Sequence, residues 1–470
     1  MSKVRARLYC HGLGDCSLIE FARPTGAKSF WMLIDCGIHN SAPGGPSRIA
    51  AVVADIASLT RQLDIVVLSH EHWDHVSGFA TADFAQFEVG EIWCAWTENP
   101  ADAQAQALDT FKGEALTALA GAADRLRATA DDGPAAAALA DGLDALLGFN
   151  FGLAGEKSRD ARDKGIALGN GHVRYLEPGA VVPLPAGLGV TAYVLGPPRD
   201  PKALGVRDGP NSYGIAASLN ASFALADGTI GVDDDAGAPF DETEGIALSA
   251  LPTTGRHAAF LRDHYLGPAV VDPAPLPTDP DPPQTDQAWR RIDGDWLGAA
   301  ADLALQLDDR TNNTSLVLAL DLGRSKDGLL FAGDAQLGNW GSWAAVAFAD
   351  GTTTADLLAR TTLYKVGHHG SSNATARTGG LEAMTHKALQ AFVPTDEVMA
   401  RKVGWGAIPA PGLMARLAEK GAVTRSDEVG GKLFVDYEFG ALPTSVIPAH
   451  AGTQFGKAGA RKAGPRRAPG

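Results

Sequence analysis

Three imidazoles and a carboxylate fall within six residues at His70-Glu71-His72-Trp73-Asp74-His75. An apolar run ends just before them, at Leu68-Ser69, so the chain enters this segment extended. In an extended approach His70 and His72 project to the same side and can reach one cation. Asp74 and His75 come one turn later and can hold a second cation close by. Imidazole and carboxylate donors suit zinc and other divalent first-row metals. Packing is a poor explanation for the cluster, because burying so many polar groups together is costly unless something pairs with them.

Two distant segments offer further donors. Gly333-Asp334 follows the apolar run Gly328–Ala332, which places a carboxylate at a strand end where it can bridge two cations. A turn or helix cap is the alternative use of such an aspartate. His368-His369-Gly370 also follows an apolar run, and adjacent histidines point in different directions. One can ligate while the other faces a substrate, and the residues alone leave open which. Four cysteines, Cys10, Cys16, Cys36 and Cys94, occupy the first fifth of the chain with no CxxC pair. They read as small buried apolar residues rather than a disulfide framework. Cys36, beside Asp35, keeps a ligand or redox role as its alternative.

These donors need strands to carry them. Strand-like patterns occur at Arg5–Tyr9, Cys16–Phe21, Trp31–Asp35, Asp64–Ser69, His172–Leu176, Val190–Leu195, Ser315–Leu320, Gly328–Ala332, Thr362–Val366 and Lys432–Tyr437. Helical spacing runs over Ile49–Leu63 and Pro411–Lys420. Strands and helices alternate twice, which predicts a layered α/β sandwich. The expected division is 1–99 and 308–445 as the two halves of that fold, with further fold strands at 166–198. Between them lie an Ala-rich helical insertion at 100–165 and an acidic, Pro-rich insertion at 199–307 that ends in a helix anchored by Trp289 and Trp296. The tail, 446–470, carries Lys457, Arg461, Lys462, Arg466 and Arg467 among Gly, Ala and Pro, and reads as disordered.

The chain has 470 residues and a net charge of -15. An acidic surface repels polyphosphate backbones, which argues against broad nucleic-acid binding but not against a locally positive cleft. No stretch of 18 or more apolar residues suggests a membrane span. The N-terminus lacks the zones of a signal peptide, so a cytoplasmic protein is expected. Oligomeric state is not legible.

The ordered motifs Gly12–Ser17, Leu33–Gly37, Leu68–His75, Asn312–Leu318, Ala332–Asp334 and Lys365–Ser371 together resemble the metallo-β-lactamase superfamily. The His368-His369-Gly370-Ser371 element is most similar to its ComEC-type branch, the nuclease-like domains of competence proteins and their soluble relatives. The resemblance implies an αββα sandwich with two insertions and two divalent cations at one sheet edge, zinc first and manganese as the alternative. It implies that His70 and His72 hold one cation, Asp74 and His75 the other, and that Asp334 bridges. It gives His369 to the second cation and His368 to the substrate's leaving group or phosphate, with Asp35 orienting the ligand loop. Two departures stand out. The family's further histidine on the first cation is replaced by Asp308–Asn313, so that Asn, Asp or water fills the position, or His172, His257 or His264 from elsewhere. The family's late His-Pro appears as Ile408-Pro409.

The expected reaction is hydrolysis by a metal-bound hydroxide, with Asp74 and His368 required for turnover and a phosphodiester, nucleic acid included, as substrate. The alternatives are a small-molecule ester, lactone or amide hydrolase with the insertions as a lid, and a metal-binding module without turnover. A diiron redox protein on the same fold would carry Glu where His72 stands.

Overall fold

The computed structural model describes residues 3–23, 27–128, 156–185, 187–205, 307–402 and 408–440. Residues 1–99, 158–207 and 312–470 form one compact unit, and 100–157 with 208–311 another. In the second unit the described part includes most of the long helix Ala103–Ala128, where an Ala-rich helix is expected. Nearly all of the acidic insertion, with His257, His264, Trp289 and Trp296, lies outside the described residues, as does the basic tail.

The first unit contains two seven-stranded mixed sheets. One is built from β1 (Val4–Tyr9), β2 (Cys16–Phe21), β3 (Phe30–Cys36), β4 (Gln62–Val67), β5 (Glu88–Ala95), β6 (Val173–Leu176) and β14 (Phe434–Phe439), in the order β14-β1-β2-β3-β4-β5-β6. The other is built from β7 (Val181–Pro183), β8 (Thr191–Gly196), β9 (Val317–Asp321), β10 (Gly328–Phe331), β11 (Thr361–Lys365), β12 (Gln390–Val393) and β13 (Ala422–Arg425), in the order β13-β12-β11-β10-β9-β8-β7. Each sheet changes from antiparallel to parallel pairing partway across: β3, β4, β5 and β6 run parallel, as do β10, β11, β12 and β13.

Period-two burial explains the layers. In β3, Phe30, Met32 and Ile34 enter a core shared with Leu318, Leu320, Phe331 and Phe392 of the opposite sheet. Trp31, Leu33 and Cys36 point the other way, onto Ile49, Val52 and Ile56 of the helix Gly45–Leu59 and Phe79 of the helix Trp73–Thr81. The second sheet repeats the arrangement, with Leu330 and Tyr364 packed beneath Trp340, Trp343 and Leu417. The result is the predicted αββα sandwich. Fully burying each of these large side chains contributes about 1.5–3 kcal/mol.

Four strands pass unseen in the sequence: β5, β7, β12 and β13. Gly90 interrupts β5, where an added Cβ would stand 2.6 Å from the Asp64 carbonyl oxygen. The others have only three or four residues, too few for alternation to register. The helix expected at Ile49–Leu63 starts earlier and stops at Leu59, because Gln62 already pairs with β5 as a strand.

Candidate metal centre

The candidate residues gather at the carboxyl ends of the parallel strands, where open α/β sheets place their ligands. Asp35 stands in β3, followed only by Cys36. Ser69 to His75 follow β4, Asp334 follows β10, and His368 and His369 follow β11. Leu316 donates its N–H to the Ser69 carbonyl at 2.8 Å, joining the segment ahead of β9 to the histidine loop. Close backbone approach demands glycine at two places. Gly333 has φ +54°, and a Cβ there would lie 2.8 Å from Ser315 Cβ. At Gly37 a Cβ would lie 2.3 Å from the Asp74 carbonyl carbon. Asp35, His368 and His369 are non-glycine residues at φ 55°, 43° and 52°. Each such conformation costs on the order of 1–3 kcal/mol and persists only where surrounding contacts enforce it.

His70, His72, Asp74, His75, Asp334 and His369 are all buried, and His368 alone of the predicted set is partly exposed. His70 Nε2 and His72 Nδ1 face each other at 3.0 Å. His75 donates from Nδ1 to Asp35 Oδ2 at 2.8 Å, and Asp35 also accepts from the Ser69 N–H and hydroxyl. Its other nitrogen, Nε2, has no hydrogen-bond partner, yet Asp334 Oδ2 lies 3.2 Å away, Asp15 Oδ2 3.3 Å and Asp74 Oδ2 4.0 Å. His369 donates from Nδ1 to the Pro394 carbonyl and meets Asp74 Oδ2 through Nε2, both at 2.8 Å. Two donor groups of metal-binding size therefore share Asp334: His70, His75 and Asp334, and Asp74, Asp334 and His369. The orphaned His75 Nε2 among carboxylate oxygens is the arrangement a cation completes, so the residues fit divalent metal.

Electrostatics divide the cluster. Burial pushes His70 below the ordinary histidine range, reinforced by His75 and His72, and holds His72 at about 4. Both therefore offer neutral lone pairs. Burial would also depress His75, but Asp334, Asp15, Asp74 and Asp35 outweigh it and raise the imidazole well above its usual value. His369 is raised in the same way, chiefly by Asp74. Asp74 and Asp334 lie well below the carboxylate range despite burial, because His75 and, for Asp74, His369 face them.

The geometry separates the adjacent histidines. His369 turns inward to Asp74, as the resemblance implies. His368 donates its backbone N–H to Asp334 Oδ1 at 2.7 Å, and its ring Nδ1 meets Ser371 Oγ at 2.9 Å. Ser371 in turn donates to Asn373 Oδ1. The further first-cation ligand that the resemblance leads one to expect is not His172, which is exposed just ahead of edge strand β6. Nor is the Asn313 amide available. Its Oδ1 accepts from the Gln336 and Asn339 N–H groups and its Nδ2 donates to the Leu204 carbonyl, so it braces the loop that carries Asp334.

Three contributors were not legible as functional. Asp15, read as part of a turn, reaches His75. Lys365, read as a strand residue, donates to Asp15 and lies 3.8 Å from Asp334 Oδ1. Arg162, on the helix Glu156–Ala167, binds Glu71 Oε2 at 2.8 Å and Glu98 Oε2 at 2.9 Å, gripping the histidine loop between His70 and His72. The charge of Glu71 inside the motif was the only available signal for a cationic partner.

The family model described as the Metallo-beta-lactamase superfamily matches residues 12–134, which include the histidine loop. A comparison with curated proteins finds no match. Among the described residues no helix is long and apolar enough to cross a membrane.

Proposed function

We propose that this metallo-β-lactamase superfamily domain makes the chain a metal-dependent hydrolase of phosphodiesters, related to the ComEC-type branch. His70 and His72 would hold one divalent cation, Asp74, His75 and His369 the other, and Asp334 both; zinc suits the imidazole pair. When bound, such a pair supplies a water whose pKa falls from about 16 toward roughly 7, and positive charge opposite a developing oxyanion. The protein's own groups do the rest. Asp35 and the Pro394 carbonyl fix the rings of His75 and His369, so that Nε2 of each faces the carboxylates. Neutral His70 and His72 give up no proton to bind. His368, tied through its backbone to Asp334 and through its ring Nδ1 to Ser371, would face the substrate and, when its Nε2 also carries a proton, donate to the phosphoryl oxygen or leaving group.

The observation that supports this reading is Asp334 within metal-binding reach of His70 and His75 and of Asp74 and His369, beside a partly exposed histidine. The net charge of -15 favours a small phosphodiester or short strand over a long polyanion. The test is a panel of short single-stranded DNA and chromogenic phosphodiester, ester and lactone substrates, with added manganese or zinc. Turnover of phosphodiesters is expected, with loss of about 100-fold or more in a folded Asp74→Ala variant. Exclusive ester or lactone turnover would move the substrate to a small-molecule ester class, and wild-type rates from Asp74→Ala would remove the metal assignment.

A further inference from the structure

Asp15 lies in the turn between β1 and β2, and nothing in the ligand set above requires it. It is nevertheless buried, with its Oδ2 3.3 Å from His75 Nε2. The turn is pinned: the Asp15 N–H donates to the Asp74 carbonyl at 3.0 Å, and its own carbonyl accepts from Gly37 at 2.9 Å. Lys365, also buried, donates its ammonium to the same Oδ2 and lies 3.4 Å from the Gly333 carbonyl. Two donor atoms each about 2.1 Å from one ion stand about 3 to 3.4 Å apart at tetrahedral or octahedral angles. The separations of His75 Nε2 from Asp334 Oδ2, 3.2 Å, and from Asp15 Oδ2, 3.3 Å, are of that size. The Nε2 atom between them is buried and has no hydrogen-bond partner.

We propose that Asp15 is a further carboxylate ligand of the second cation, held in place by Lys365. The proposal rests on the two-metal reading above. Charge is consistent with it, since two divalent ions and the Lys365 ammonium bring five positive charges against the four buried carboxylates Asp15, Asp35, Asp74 and Asp334. Left unbalanced, a buried charge of this kind is expensive. A position lined by three carboxylates and two imidazoles also favours oxygen-seeking cations such as manganese more than a nitrogen- and sulfur-rich site does.

Manganese titration of the metal-stripped full chain tests this, with affinity read by competition against a chromogenic chelator and occupancy by electron paramagnetic resonance. The wild type should bind two ions. Asp15→Asn should keep the first and weaken the second by about tenfold or more. Asp15→Asn leaves Lys365 without its carboxylate, so the neutral pair Asp15→Asn with Lys365→Met is measured beside it. Weak second-site binding in both variants supports a ligand role. Wild-type affinity regained in the double variant would mean that Asp15 merely neutralises Lys365, and would overturn the proposal. Unchanged second-site affinity in Asp15→Asn would overturn it too, with the two-metal reading intact. A wild type that takes up no manganese or zinc would overturn both.

Discussion

His75 is gripped at Nδ1 by Asp35 and open at Nε2 toward three carboxylates, so its ring direction is set by Asp35. Asp35→Asn removes the negative acceptor that holds this ring. Metal affinity should fall about 10- to 100-fold with the fold retained, checked by chelator competition alongside circular dichroism. Arg162 acts on the same loop from outside. Its partners Glu71 and Glu98 have side chains only 1% and 4% exposed. Arg162→Met strips a cation from buried carboxylates and should cost about 3 kcal/mol in urea denaturation. Four of the six candidate donors stood out because they crowd into His70–His75, and Asp334 and the His368-His369 pair because each follows a strand-like run. Asp15, Lys365 and Arg162 did not, because their chemistry exists only where residues distant in sequence meet. A lysine at the end of an apolar strand reads as a strand terminus until Asp15 is seen against it.

At the scale of elements, the strand ends do the positioning. Gly333 lets the chain turn at φ +54° between β10 and Asp334 while pressed against Ser315. Gly333→Ala should cost about 1–3 kcal/mol and weaken metal binding, because the carboxylate shared by both donor groups must shift. Asn313 holds that loop by accepting from the Gln336 and Asn339 N–H groups and ties it to the Leu204 carbonyl. Asn313→Ala should lower stability by about 2–3 kcal/mol, read from the thermal midpoint. The resemblance put the missing ligand somewhere in Asp308–Asn313, and within that segment Asn313 is committed to bracing. Strands with clear alternation, such as β2 and β3, were legible. The short β7, β12 and β13 were not, since their place is set by pairing with neighbours rather than by local pattern.

For the molecule as a whole, the same convergence that makes the centre also concentrates buried charge in one place. Bound cations relieve that charge, so they should stabilise the native state by mass action. Ligand at 100 to 1,000 times its Kd adds about 2.7–4.1 kcal/mol, and chelation should lower the melting temperature by about 5 °C or more. A layered α/β sandwich was readable from the alternation of strand and helix patterns and its αββα order from the family resemblance, and the structure has two mixed sheets. The measurement that bears most directly on the account is the divalent metal content of the folded wild-type chain after exhaustive dialysis. Two ions per chain are predicted, falling in Asp334→Asn, whose carboxylate both donor groups share. A folded wild type that retains no divalent ion and takes none up on addition would contradict it.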